Sequence, residues 1–147
     1  MKFVSAFAAV VILALGTTAV SSQQDPIAAR KALMKSNGQA AGSLAKMVKG
    51  EAPFDLPTTQ KAFATFEDAA AKMPALFPNN SKTGGETTAA PKIWDDMADF
   101  KARFVKFGSD AKATSVSVKD LDSLKKAFPE FGKNCGGCHE LYRIKKS

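Results

Sequence analysis

Three residues near the end of the chain carry most of its chemistry. Cys135-Gly136-Gly137-Cys138-His139 contains the only two cysteines and the only histidine among 147 residues. C-x-x-C-H is the attachment pattern of c-type haem. On a helical turn, cysteines three apart project to one side and reach the two vinyl groups, and the adjacent histidine turns its imidazole to the iron. Gly136 and Gly137 leave space for a flat porphyrin against the backbone. Other uses of these residues fit less well. A thioredoxin-like redox pair needs a βαβ context that the sequence lacks. A disulfide over so short a loop staples little chain and leaves His139 unexplained, and zinc wants four ligands where these residues supply three. Only eight residues follow His139, so whatever faces the other side of the iron comes from earlier in the chain.

The elements that must position this motif are helical. Asp25 caps and Pro26 opens a first helix, whose apolar set Ile27, Met34, Ala41, Leu44 and Val48 recurs at helical spacing until Gly50. Asp55 caps a second helix with inner face Phe63, Phe66, Ala70 and Met73, ended by Pro74. Residues 74–90 mix prolines, glycines and hydroxyls without a period and read as a long loop that Leu76 and Phe77 tuck onto the core. Pro91 starts a third helix, with stripe Ile93, Met97, Phe100, Phe104 and Phe107, flanked by Trp94 and running to Gly108. Ser117 begins the last helix, with Asp120 as its capping-box partner and Val116 and Leu121 as a hydrophobic staple. Leu121, Leu124, Phe128, Phe131, Cys135, Cys138 and Tyr142 form its stripe, kinked or broken at Pro129. No segment alternates as a strand does, so the expectation is all-α, with four amphipathic helices in an up-down-up-down bundle.

Length bounds the chain to one domain, residues 23–147, behind a leader at 1–22. Lys2 followed by an apolar run from Phe3 to Leu15 and then small residues is a secretory signal pattern, with cleavage expected after Ser22. The run falls short of the roughly 20 residues a spanning helix needs. Net charge is +7, or +6 without Lys2. Export and the absence of any nucleic-acid motif exclude a nucleic-acid partner. A solvated basic surface, including Lys133, Lys145 and Lys146, and steering toward an acidic redox partner both fit what remains.

The chain resembles the class II cytochromes c, the cytochrome c′ family. The resemblance rests on CGGCHELYRIKK at 135–146, RKALMKSNG at 30–38, VKGEAPFD at 48–55, LFP at 76–78 and PKIW at 91–94. It implies a left-handed antiparallel four-helix bundle with one haem c near one end. In one branch a noncoordinating side chain faces the iron, which stays five-coordinate and binds nitric oxide or carbon monoxide. In the other, of the cytochrome c-556 type, a methionine completes a low-spin six-coordinate iron for electron transfer.

Met34 falls at that distal position, and LMKSNG resembles the methionine-ligated branch. Its spacing alone is more often that of a core methionine than of a ligand. Met47, Met73 and Met97 are the competing thioethers; Met47 lies beyond three helical turns from Met34, and the bundle core accounts for the other two. The resemblance gives Arg30, one turn before Met34, a haem propionate as partner, and it sets Arg143 over the proximal imidazole. A rim arginine snorkelling to solvent is the alternative at Arg30. Phe63, Phe66, Phe100, Phe104 and Phe128 are expected to bury the porphyrin. Gly38, Ala41 and Gly42 make one slim face of the first helix, open to the haem or to a partner helix. The expected function is a periplasmic one-electron carrier with His139 and Met34 as axial ligands, working between redox donor and acceptor proteins. Relatives dimerise through the first two helices, so a homodimer there is compatible. No general base pairs with a nucleophile, which argues against an enzyme.

Overall fold

The computed structural model describes residues 25–145; the leader, its cleavage point and Lys146 lie outside them. Along this stretch run α1 (Pro26–Lys49), α2 (Leu56–Lys72), the single turn α3 (Lys92–Asp95), α4 (Met97–Ser117) and α5 (Leu121–Tyr142). Two 3₁₀ turns, Met73–Leu76 and Asn79–Ser81, shape the connection between α2 and α3. No strand forms among the described residues, and an isolated antiparallel bridge joins Ala89 to Arg143. None of the described helices is long and apolar enough to cross a membrane.

Side chains next to the helix ends set most boundaries. The Asp25 carboxylate accepts from the Ile27 N–H at 2.9 Å, and Gly50 closes α1 in the left-handed conformation, φ 75°. Asp55 accepts from the Thr58 N–H at 2.8 Å to start α2. The third predicted helix is divided. Asp96, at φ −134° and ψ 56°, breaks the chain after α3, and its carboxylate caps α4 through the Asp99 N–H.

Nor does that helix stop at Gly108; α4 continues to Ser117. Gly108 is there for packing, since a Cβ on it would lie 3.0 Å from the Cβ of Ala70 on α2. The cap of α5 is Asp120, not Ser117. Asp120 accepts from the Ser123 N–H at 2.8 Å, and the Ser123 hydroxyl accepts from the Asp120 N–H. Val116 is exposed, so the expected staple does not form, and Val118 is the residue buried at this turn. α5 runs unbroken through Pro129.

α2 packs on α1 and α4, α4 on α5, and α1 touches α5 to close the ring. The links between α1 and α2 and between α4 and α5 are too short to return the chain, so these neighbours are antiparallel and the whole is a four-helix bundle. Its core is aromatic. Phe131 sits with its ring centroid 5.2 Å from Phe63, 5.1 Å from Phe66 and 5.3 Å from Phe107. A second group, Phe77, Phe100, Phe104 and Tyr142, packs edge to face at 4.7–5.2 Å between centroids. Burying each such ring contributes roughly 1.5–3 kcal/mol.

Candidate haem site

A cavity of about 570 Å³ opens between the helices beside the second aromatic group. Cys135, Cys138 and His139 reach its wall from α5, and Met34 lines it from α1. The rest of the wall is mostly apolar: Phe66 and Met73 from the α2 end, Phe77 from the long connection, Ile93 from α3, and Phe100, Phe104 and Phe107 from α4. Of the expected porphyrin-burying rings, Phe66, Phe100 and Phe104 line this space. Phe63 instead belongs to the solid core, Phe128 is only half-buried against it, and Phe77 and Phe107 take their places. Gly38 and Ala41 line the cavity, so the slim face of α1 serves this space, while Gly42 is exposed.

The cavity matches the size range of cofactor pockets. Two thiols and one imidazole converge on it, and a Cβ on Gly136 would meet nothing within 4 Å. The two cysteines form no disulfide. Cys135 is exposed and Cys138 half-buried, and the desolvation they meet against the cavity wall shifts both thiols upward, so they are protonated at neutral pH. His139 is shifted down, by burial first and by the nearby Arg143 cation second, which leaves its imidazole neutral and able to offer a nitrogen lone pair. These residues fit a covalently held haem: Cys135 and Cys138 for the thioethers, His139 for the iron.

A polar brace behind the motif is one that sequence reasoning missed. The Tyr142 hydroxyl, one turn after His139, donates to Asp99 on α4 at 2.5 Å, and the Arg103 Nε donates to the same carboxylate oxygen at 2.6 Å. The guanidinium lies 5.7 Å over the Tyr142 ring, and its Nη1 would be 3.9 Å from a Cβ on Gly137. Arg103 holds the Asp99 carboxyl below its usual range, with help from Tyr142. Burial, then Asp99, pushes the Tyr142 phenol up to about 12. The i,i+4 spacing of Asp99 and Arg103 was visible in the sequence; their joining to a residue 43 positions away was not.

Arg30 is 5 % exposed and lines the cavity. Its Nη1 donates to the Leu76 carbonyl and the Ser81 hydroxyl, both at 3.1 Å, and its Nη2 to the Ser81 carbonyl at 2.9 Å and the Thr87 hydroxyl at 2.8 Å. The guanidinium also stacks 4.6 Å from the centroid of Phe77. All four terminal protons thus go to the long connection, and Nε is the donor left for a propionate. Arg143 lines the cavity with its side chain exposed, and its backbone N–H donates to the His139 carbonyl at 3.2 Å.

Comparison with known proteins agrees with this site. Residues 25–143 match the family described as Cytochrome C′. The chain is 45 % identical to a cytochrome c′ of Rhodopseudomonas palustris over 136 residues, covering 92 % of this chain and 93 % of the relative. It is 35 % identical to a cytochrome c-556 of the same organism over 138 residues, 91 % and 93 % of the two chains. A solved structure of cytochrome c′ from Rhodopseudomonas palustris superposes with a TM-score of 0.82 at 47 % identity, over 85 % of this chain and all of that one. With the C-x-x-C-H motif on one wall of a haem-sized cavity in a four-helix bundle, the chain belongs to the cytochrome c′ family of class II c-type cytochromes, whose cofactor is a single covalently attached haem c.

Proposed function

We propose that this protein is a one-electron carrier whose haem iron is held by His139 and Met34 in a low-spin, six-coordinate state. The observation that carries the reading is that Met34, from the first helix, lines the cavity into which the last helix presents His139. Met73 also lines it, but is wholly buried in the core at the end of α2. Met34 is half-buried, with Gly38 and Ala41 one and two turns further along leaving room beside it. An imidazole–thioether pair gives haem iron a raised potential suited to electron exchange. The apolar walls keep water away from the metal, and the neutral His139 supplies a ready ligand nitrogen. Of the cations lining the cavity, Arg30 through its Nε and Arg143 close to His139 are the ones this reading assigns to a haem carboxylate and to the proximal side. The carrier is assigned to the bacterial periplasm, exchanging electrons with protein donors and acceptors, with a homodimer through α1 and α2 as its expected assembly; among the described residues no nucleophile–base pair suggests an enzyme.

A second reading has its own support, since the relative called cytochrome c′ is 45 % identical and the one called cytochrome c-556 is 35 % identical. In it Met34 only lines a gas-binding pocket over five-coordinate iron. Absorption spectra of the oxidised and reduced protein decide between the two. The carrier reading expects the weak near-infrared band of methionine on ferric iron, lost in Met34→Ala and kept in Met73→Ala. A high-spin spectrum that shifts when carbon monoxide is added to the reduced protein establishes the second reading instead.

A further inference from the structure

The connection between α2 and α3 is tied to both ends of the site at once. On the α1 side, Arg30 gives its four terminal N–H bonds to Leu76, Ser81 and Thr87 and stacks on Phe77. Lys31 Nζ donates to the Gly85 carbonyl at 3.2 Å, and a Cβ on Gly85 would fall 2.9 Å from the Ile27 side chain. The same segment then turns and pairs by backbone with the residues just after His139. The Ala90 N–H donates to the Tyr142 carbonyl at 3.0 Å, and the Ile144 N–H to the Thr88 carbonyl at 2.8 Å, flanking the Ala89–Arg143 bridge. α1 packs mainly on α2 and touches α5 far less, so at the Met34 end this segment, joined to both α1 and the residues after His139, is the direct tie between the two helices beyond the bundle packing.

We propose that residues 76–90 act as a strap fixing the separation of the Met34 and His139 helices, and that Arg30 is the positioning residue that fastens it. The inference rests on the carrier reading for its link to the iron. Arg30 reaches four oxygens spread over twelve residues of the connection; a lysine in its place has one nitrogen and no planar fork to span them. With the strap loosened, α1 stays packed on α2, but its Met34 end loses its direct tie to the segment after His139 and shifts relative to α5 while α2, α4 and α5 keep their aromatic core. A thioether is a weak ligand held by geometry, so it is the contact that yields first. His139 and the two thioether linkages, all on α5, do not depend on the strap.

The test follows the near-infrared methionine band and far-UV circular dichroism together during denaturant titration of the holoprotein. In the wild type both signals are expected to change together. In Arg30→Lys the band is expected to disappear at clearly lower denaturant than the helical signal. Thr87→Val and Ser81→Ala, which each remove part of the clasp and keep Arg30, shift it in the same direction by less. Hydrogen exchange supplies a readout that does not need the iron: the Ala90 and Ile144 amides should exchange roughly 10-fold faster or more in these variants, relative to amides of α2. Coincident transitions together with unchanged exchange at Ala90 and Ile144 in Thr87→Val and Ser81→Ala would overturn the strap, whether or not Arg30→Lys folds. A wild type without the band overturns the carrier reading instead, and the exchange measurement then decides the strap alone.

Discussion

Asp99 holds Tyr142 and Arg103 on one carboxylate oxygen, directly behind the turn that carries the two cysteines and the histidine. Tyr142 is the only tyrosine in the chain, so its ionisation can be followed without interference from another phenol. In the unfolded chain it titrates near 10, and in the folded protein at about 12. The raised value means that the stability gained by keeping the phenol neutral is fully present below pH 10. That contribution is lost as the pH climbs through 12. Asp99→Asn removes the charge that opposes the phenolate, so the tyrosine titration midpoint should fall; a difference titration in the ultraviolet measures it, and an unmoved midpoint would show that burial alone sets the shift. Which residues would meet at such a point was hidden from the sequence. Cys135, Cys138 and His139 were legible because they are adjacent and chemically distinctive. Arg30 was legible as a cavity residue, but its hydroxyl and carbonyl partners lie 46–57 positions away, and no local pattern marks them.

Among the helices, the boundaries read correctly were those set by a residue within three positions of the end, through its side chain or, at Gly50, its backbone. Asp25, Gly50 and Asp55 satisfy free backbone groups next to them, which is a local event. Gly108 misled because a glycine in a helical pattern signals either a stop or a close approach, and only the position of Ala70 on another helix distinguishes them. Ser117 and Asp120 are both good caps three apart, and the burial of Val118 sets the turn that makes Asp120 the one used. Two substitutions test these assignments. Gly108→Val forces branched carbons into the α2–α4 contact and should lower stability by about 1–3 kcal/mol in urea unfolding. Asp120→Ala removes the capping box and should cost about 1 kcal/mol with the haem spectrum unchanged. An increase in stability in the first would mean that Gly108 is a helix weakness, not a packing requirement.

For the molecule as a whole, the cavity is too large to be left without its cofactor. Its wall is mostly apolar and opens to solvent, so without the cofactor those side chains meet water and the burial that would stabilise a marginally stable domain is lost. The doubly substituted Cys135→Ser, Cys138→Ser chain, which cannot be covalently loaded, should therefore keep much of its far-UV helical signal while losing near-UV fine structure and binding a hydrophobic dye. A cooperative unfolding transition equal to that of the loaded protein would contradict this. The strap has another consequence at this scale. Residues 82–86 form an exposed tip, and Arg30 bonds to Ser81 just before it and to Thr87 just after it. One buried guanidinium thus bridges the base of the tip, making covalent continuity of the chain least necessary there. It is the natural site for a protease nick, for new termini in a circular permutant, or for dividing the protein into two reassembling pieces, of which only the second bears the haem.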